Sequence, residues 1–107
     1  MEGRILVVNL NIGSEGARVS LSGELDHHCA TGTLREIQRF LDTELPGALT
    51  VDMKGVAFMD SSGIALINTL RRRQSMIGGS FEILNLQRQP MRVLTGAGLV
   101  HLASPIR

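Results

Sequence analysis

The amino-acid sequence predicts an α/β fold, a mixed sheet of four to five strands with packed helices, formed as one domain by residues 1–107. Two observations indicate this fold. Short runs rich in β-branched and aliphatic residues recur along the chain, and between them the apolar residues change to helical spacing. The resulting order is β-β-α-β-α-β-α-(β). Strands that a helix connects favour parallel pairing with a right-handed crossover, which predicts at least one helical layer on the sheet.

The first two strands are predicted to form a hairpin. The segment from Arg4 to Ile12 is rich in Ile, Leu and Val, and Ser14-Glu15-Gly16 has the composition of a turn. From Ala17 to Leu25 apolar and polar residues alternate, as they do on a half-buried strand. Gly23 within this strand predicts a bulge or a close approach of two backbones.

The first helix is predicted to run from about His27 to Glu44. Asp26 is placed to cap its first turn, and Pro46-Gly47 is expected to end it. Its buried face is expected to carry apolar residues spaced by three and four, namely Ala30, Leu34, Ile37, Leu41 and Leu45.

The second half of the chain continues the alternation of strands and helices. A strand is predicted through Leu49, Val51 and Met53, and Val56 and Phe58 close it after a Lys54-Gly55 turn. A helix is predicted from about residue 60 to Met76, with Leu66, Ile67 and Leu70 buried. The remaining predicted elements are a strand through Phe81, Ile83 and Leu86, a short helix that Pro90 opens, and a last short strand from Leu99 to Leu102. Glycines are expected to end both helices, at Ile77-Gly78-Gly79 and at Gly96-Ala97-Gly98.

Composition argues against several classes of function. The formal net charge is +1, and Trp and Tyr are absent, which disfavours binding to nucleic acid or to a membrane surface. No segment approaches the roughly 18 apolar residues of a membrane helix, and the N-terminus lacks the apolar run of a signal peptide. The single cysteine, Cys29, cannot form an internal disulfide. These features favour a cytoplasmic protein.

The candidate site is Asp60-Ser61-Ser62-Gly63, where an apolar strand meets a helix. Serines in the first turn of a helix lie beside backbone N–H groups that have no partner within the helix. One interpretation is that Asp60, Ser61 or Ser62 only caps the helix. The other is that one serine stays exposed as a phosphate acceptor, because a helix N-terminus stabilises an anion by about 0.3–1 kcal/mol on a surface.

Three stretches of the sequence resemble the STAS domains, and within them the bacterial anti-sigma factor antagonists of the sporulation and general-stress type. They are residues 22–28, Ser-Gly-Glu-Leu-Asp-His-His; the strand at residues 51–53 with residues 58–63, Phe-Met-Asp-Ser-Ser-Gly; and Gly78-Gly79 with Pro90, Val93, Leu94, Gly98 and Leu99. Together they cover the chain from residue 17 to about residue 100. The loop motif is specific when it follows an apolar strand and opens a helix.

The resemblance implies a regulatory interaction module that is not an enzyme and needs no cofactor. In this family the first serine of the pair, Ser61 here, is the phosphoacceptor. The unphosphorylated protein binds an anti-sigma factor that is also a serine kinase, which frees the sigma factor; phosphorylation ends the binding, and a phosphatase of the PP2C type restores it. Asp60 is expected to orient the Ser61 hydroxyl. The implied partner-binding residues are Glu24, Leu25, Asp26, Met59, Asp60, Ser61, Ser62, Gly63 and Ile64.

Other functions find less support in the residues. A catalytic serine with His27 or His28 as its base lacks the G-x-S-x-G motif. Neighbouring residues such as His27-His28-Cys29 point in different directions on a helix and make a poor metal site. G-x-G-x-x-G and Walker motifs are absent. The alternative is a STAS-type module that binds a nucleotide or a lipid, or that acts as a scaffold in a stress complex, without phosphorylation. Stabilisation by a ligand would reveal such binding.

Two expectations concern the surface. The cluster Arg71-Arg72-Arg73 is expected to be a solvated helix end, because cations suit the C-terminal half of a helix. Many members of the family carry a further helix after the position of Leu99, and Pro105 disfavours such a helix here. The surface that this helix normally covers would then favour weak self-association.

Overall fold

The computed structural model describes residues 7–102, which form one mixed sheet of four strands, three α-helices and a 3-10 turn. The elements are β1 (Val7–Gly13), β2 (Gly16–Leu25), α1 (Ala30–Glu44), β3 (Ala48–Met59), α2 (Ser61–Met76), β4 (Ser80–Leu84), α3 (Arg88–Gly96) and the 3-10 turn Val100–Leu102. The strand order is β1-β2-β3-β4; β1 is antiparallel to β2, and β3 runs parallel to both β2 and β4. The predicted α/β fold is confirmed. Residues 4–6 of the predicted first strand lie outside the described residues.

The core lies between one face of the sheet and the helices. Ala17, Val19 and Leu21 of β2 are buried, and the strand register places Ala17 and Val19 beside Leu49 and Val51 of β3. The helical side chains that complete this layer are Ile37 and Leu41 of α1, Leu66, Ile67 and Leu70 of α2, and Leu94 of α3. Burial of each large aliphatic side chain contributes about 1.5–3 kcal/mol, so this layer provides most of the stabilisation of the fold.

The third strand is one continuous element, and the predicted turn at Lys54-Gly55 is wrong. The pairing of β2 with β3 moves from Ser20↔Asp52 to Ser22↔Gly55, so β3 carries an extra residue at this point. The N–H of Lys54 donates to Asp52 Oδ1 at 3.0 Å. A side chain therefore satisfies the backbone group that the bulge leaves out of the ladder, and the strand resumes.

Glycine is required where β2 and β3 approach each other. A Cβ at Gly55 would lie 2.8 Å from Ser22 Cβ, closer than real side chains come. A second register shift follows between Gly23 and Glu24, and Gly23 has a φ of +125°. The irregularity predicted at Gly23 is confirmed.

The first helix begins three residues later than predicted, at Ala30, because Asp26 does not cap it. Residues 27–29 form a turn, and the Asp26 carboxylate accepts the N–H of His28 at 3.0 Å, ahead of the helix. The N-cap position is Cys29, which makes no capping hydrogen bond through its side chain. Leu45 was expected on the buried face, but it ends the helix in a left-handed conformation and is 70% exposed.

The later elements follow the predicted order, with departures at Leu86, at Pro90 and in the last segment. The second helix, α2, ends at Met76, and Gly78 and Gly98 adopt left-handed conformations after α2 and α3. The third helix begins at Arg88, two residues before Pro90, and Leu86 lies beyond β4. The prediction of a last short strand was wrong, since Val100–Leu102 is a 3-10 turn. Pro105 lies outside the described residues. Across residues 7–102, no helix is both long and apolar enough to cross a membrane.

Candidate functional site

The candidate site lies where β2 and β3 end side by side. The two strands are parallel and Leu25 pairs with Met59, so the segments that begin with Asp26 and Asp60 leave the sheet at the same edge. The N–H of Asp60 donates to the carbonyl oxygen of Leu25 at 3.2 Å, which joins the two segments directly. Residues far apart in the sequence therefore form one surface.

Asp60 is the N-cap of α2. Its backbone is extended (φ −113°, ψ −164°), and its Oδ1 accepts the N–H of Ser62 at 2.8 Å. Its Oδ2 accepts the N–H of His27 at 3.2 Å. One carboxylate therefore both caps the helix and connects it to the segment that follows β2.

The same contacts determine the charge of Asp60. Burial opposes ionisation, but hydrogen bonds from the backbone N–H groups of Ser62 and His27, and the nearby His27 ring, outweigh it and lower the pKa of Asp60. At neutral pH the cap is a carboxylate anion. The helix N-terminus favours a negative charge at this position.

Ser61 is the first residue of α2 and is exposed. Asp60 is the cap, so the interpretation that a serine hydroxyl caps the helix does not apply to Ser61. Asp60 was expected to orient the Ser61 hydroxyl, but its two oxygens accept backbone N–H groups instead. Within the described part of the chain, the Ser61 hydroxyl makes no hydrogen bond to another side chain. The residue as a whole is exposed to solvent.

Gly63 lets α2 start close to the ends of the two strands. It is buried, and a Cβ at this position would lie 3.0 Å from Met59 Cβ and 3.2 Å from the Leu25 side chain. With a larger residue here, Met59 and Leu25 would have to move by a few tenths of an ångström. The glycine of the motif therefore determines where Ser61 lies.

The two histidines beside the site are exposed, and their rings lie close together with planes tilted by 36°. The ring centroids of His27 and His28 lie 4.1 Å apart. His27 Nδ1 is 3.6 Å from Asp60 Oδ2, and His28 Nδ1 is 3.8 Å from Asp26 Oδ2. Both contacts become ion pairs only when the imidazole is protonated. Among residues 7–102, no three His, Cys, Asp or Glu side chains are grouped so that they could hold a metal ion.

Comparison with known proteins identifies the family. The model of the STAS domain matches residues 8–107. The chain belongs to the STAS domain family. Among curated proteins this STAS domain is similar to two anti-sigma F factor antagonists. The one from Paenibacillus polymyxa is 29% identical over 96 residues, 86% of this chain and 82% of the relative. The one from Lysinibacillus sphaericus is 28% identical over 81 residues, 76% of this chain and 69% of the relative.

Solved structures show the same fold. The anti-sigma factor antagonist SpoIIAA in its unphosphorylated form superposes with a TM-score of 0.82 at 22% identity, covering 94% of this chain and 89% of that one. The Bacillus SpoIIAA in its phosphorylated form gives 0.75 at 24% identity, covering 94% and 92%. An anti-sigma factor antagonist from Mycobacterium paratuberculosis gives 0.84 at 20% identity, covering 95% and 87%. The four-stranded sheet with three helices is therefore the STAS fold.

The residues expected to bind a partner divide into two groups in this STAS domain. Those whose side chains or backbone lie in the interior are Leu25, Asp26, Met59 and Gly63. Those that reach the surface, fully or in part, are Glu24, Asp60, Ser61, Ser62 and Ile64. The buried group supports the position of the exposed group.

Gln89 of α3 is a residue of the site that the sequence did not indicate. Its side-chain amide accepts the N–H of Met59 at 2.9 Å and donates to the carbonyl oxygen of Met59 at 3.0 Å. Because the pairing of β3 with β4 ends at Asp52↔Leu84, β4 does not reach the end of β3. Gln89 takes the place of a neighbouring strand there and fixes the backbone just before Asp60. Only the folded structure brings residues 59 and 89 together.

Proposed function

We propose that this STAS domain is an anti-sigma factor antagonist controlled by phosphorylation of Ser61. The unphosphorylated form binds an anti-sigma factor that is also a serine kinase and thereby releases the sigma factor. The kinase uses ATP to phosphorylate Ser61, which ends the binding, and a PP2C-type phosphatase removes the phosphate. We place this switch in the cytoplasm, where the kinase has ATP. One observation carries the proposal: Asp60 caps α2, so the exposed Ser61 hydroxyl is free to react.

The fold is expected to tolerate a phosphate at this position. A phosphoserine carries about −1.5 to −2 charge at pH 7. Water solvates this charge because Ser61 is exposed, and the N-terminus of α2 stabilises it. The Asp60 carboxylate is a nearby like charge, but it is already held by two backbone N–H groups. The phosphate therefore changes the surface and leaves the core as it is.

A docked partner is expected to tolerate the phosphate poorly. A partner surface that lies against Ser61 would have to bury the dianion or lose contact with it, and like charge or apolar surface there costs several kcal/mol. A loss of about 2.7 kcal/mol already corresponds to a hundredfold lower affinity. One covalent change on an exposed side chain is thus enough for a switch.

The comparisons support this proposal. The curated relatives carry the name anti-sigma F factor antagonist. SpoIIAA has been solved in unphosphorylated and phosphorylated forms, so one protein of this fold exists in both states. In this chain the exposed residues around Ser61 provide a surface of the kind that such a switch needs.

The proposal is tested by incubating the purified chain with its anti-sigma factor kinase and ATP, followed by peptide mass spectrometry. We expect one phosphate, on Ser61, and none on the Ser61→Ala variant, which should still bind the kinase. Ser62→Ala is the matched control and should be phosphorylated as the wild type is. Phosphate on Ser62 only, or on neither serine, would contradict the proposal.

A further inference from the structure

The strand β1 is an edge of the sheet, and its described residues, Val7–Gly13, include no charged residue and no proline. Among the described residues, β1 pairs only with β2, so its outer side carries backbone groups that no other strand covers. Edge strands of natural proteins usually carry Lys, Pro or a bulge, which prevents pairing with another chain. The segment Val7–Gly13 reads Val-Val-Asn-Leu-Asn-Ile-Gly and has none of these.

The hairpin geometry determines which residues of β1 offer their backbone groups outward. A two-residue loop joins Gly13 to Gly16, and these residues close the ladder as a hydrogen-bonded pair. Hydrogen-bonded and non-hydrogen-bonded pairs alternate along an antiparallel ladder. Residues 7, 9, 11 and 13 therefore direct their N–H and C=O groups to β2, while Val8, Leu10 and Ile12 direct theirs outward.

We infer that β1 is the surface through which two copies of this chain associate, by antiparallel pairing centred on Leu10. In this register Leu10 faces Leu10 of the second copy, and Val8 faces Ile12 of the second copy. Each of these three residues, whose backbone groups point outward, then pairs with one of the same three residues in the second copy.

The side chains fit the same register. Val8 and Leu10 are half-buried against the core, and Ile12 is 45% exposed although it lies on the core face of the sheet. Pairing would place Ile12 against Val8 of the second copy, so apolar side chains meet on one face. On the other face, Asn9 would lie opposite Asn11, where the amides can exchange hydrogen bonds. No like charges oppose each other.

The second copy is the occupant that this symmetry favours. A two-fold interface requires a surface that is complementary to itself, and a strand that pairs antiparallel with its own sequence about a central residue meets this requirement. Within the described residues, the contact spans seven residues of one strand on each chain. Interfaces below about 1,200 Å² are typical of weak association, so we expect a dimer that dissociates on dilution.

Sedimentation equilibrium of the full chain over a concentration series tests the association. We expect the mass to rise from 11.6 kDa towards twice that value between micromolar and millimolar concentrations. The Ile12→Lys variant should dimerise about tenfold more weakly or not at all, since it places a cation against Val8 at both ends of the pairing. The matched control is Ile77→Lys, which changes a residue that is 58% exposed elsewhere and should dimerise as the wild type does.

Disulfide cross-linking tests the register. In a Cys29→Ser background, Leu10→Cys would place two cysteines in a directly opposed pair with Cα atoms about 5.5 Å apart, within disulfide range. Ile12→Cys would separate them by four residues along the strand, about 13 Å, and should not cross-link. A mass that stays at 11.6 kDa at millimolar concentration overturns the inference. Equal cross-linking of the two variants, or a dimer that only Ile77→Lys weakens, also overturns it.

Discussion

Asp52 and Asp60, at the middle of β3 and just after its end, have the same local contact and different surroundings. Each accepts the N–H of the residue two positions later, Lys54 for Asp52 and Ser62 for Asp60. Each has a pKa below the usual value for aspartate. The two residues therefore share a local hydrogen bond and differ in the partners that the rest of the fold places around the carboxylate.

Asp52 is enclosed by its partners. It is 8% exposed, Arg18 donates to it at 2.7 Å, and the Asn85 side chain donates at 2.9 Å. Burial alone would raise the pKa of Asp52, but the hydrogen bonds from Asn85, Arg18 and Lys54 outweigh it. This carboxylate joins β2, the bulge of β3 and the segment after β4.

Asp60 accepts hydrogen bonds from two backbone N–H groups at the surface. The Ser61 hydroxyl, which follows it, makes no hydrogen bond to another side chain in the described part of the chain. The Asp60 side chain is 31% exposed, and Ser61 faces solvent. The comparison shows that the same hydrogen-bonding pattern closes a bulge in one place and caps a helix in the other. The element that follows decides the difference: β3 resumes after Asp52, and a helix begins after Asp60.

If Ser61 is the switch, a fixed charge there should abolish binding. We expect Ser61→Asp to lower the affinity for the anti-sigma factor about a hundredfold, about 2.7 kcal/mol, with little change in Tm. Titration calorimetry and thermal unfolding measure the two effects. Ser14→Asp, in the exposed hairpin turn, is the charge-matched control and should bind as the wild type does. Unchanged affinity in Ser61→Asp would remove the off-switch mechanism.

If Asp52 acts only in folding, its loss should affect stability and not binding. We expect Asp52→Ala to lower the free energy of unfolding by about 2 kcal/mol, because Lys54 N–H and Asn85 lose their acceptor. Urea unfolding measures this change. Asp42→Ala is the control. The Asp42 carboxylate is 68% exposed and forms an ion pair with Arg73, so its loss should change the free energy of unfolding by less than about 0.5 kcal/mol. Equal effects of the two substitutions would contradict the contrast.

We expect Gln89 to stabilise only the end of β3 that precedes Asp60. We expect Gln89→Ala to cost about 1.5 kcal/mol and to accelerate hydrogen exchange of the Met59 amide, which loses its acceptor. Gln89→Glu keeps an acceptor for that N–H but loses the donor to the Met59 carbonyl, so its effect should be smaller. Exchange at Val51, near the middle of the strand, serves as the internal control. Equal acceleration there would indicate general destabilisation instead.

The smallest change in the free energy of unfolding is expected for substitutions of the helix cap, Asp60. Asp60→Ala should cost about 1 kcal/mol, and Asp60→Asn less, because Asn also caps helices. The folded-state pKa of Asp60 is lowered, so its charge stabilises the fold above the unfolded pKa of about 3.9 and this contribution is lost as pH falls through the folded pKa. The stability difference between wild type and Asp60→Asn, measured by urea unfolding, should therefore shrink below about pH 4. A difference that grows on acidification would contradict this assignment.

Local patterns predicted the elements best where the signal lay within a few residues. Asp60-Ser61-Ser62-Gly63 contains both a cap and the glycine that a close approach needs, so the start of α2 was predicted correctly. Lys54-Gly55 has the same local appearance as a turn. The prediction failed there because β2 continues to pair beyond the bulge, and the sequence of β3 alone does not show that neighbour.

The start of α1 and the support of the site depended on contacts between distant residues. Asp26 resembles a helix cap, but its carboxylate is used in the turn before the helix. The loop residues of the site were predicted because they are consecutive. Gln89 was missed because a glutamine at the start of a short helix has no pattern of its own, and its importance comes from the missing strand beside Met59.

Because the side chain of residue 61 has no structural task, this position can be used for labelling. With Cys29 replaced by Ser, a single cysteine at position 61 would accept a small fluorophore without loss of the helix cap. A label there would occupy the space that a docked partner needs, so the labelled protein should keep its fold and lose partner binding. An uncharged label at position 61 would thus separate the effect of bulk from the effect of charge at the proposed phosphoacceptor position.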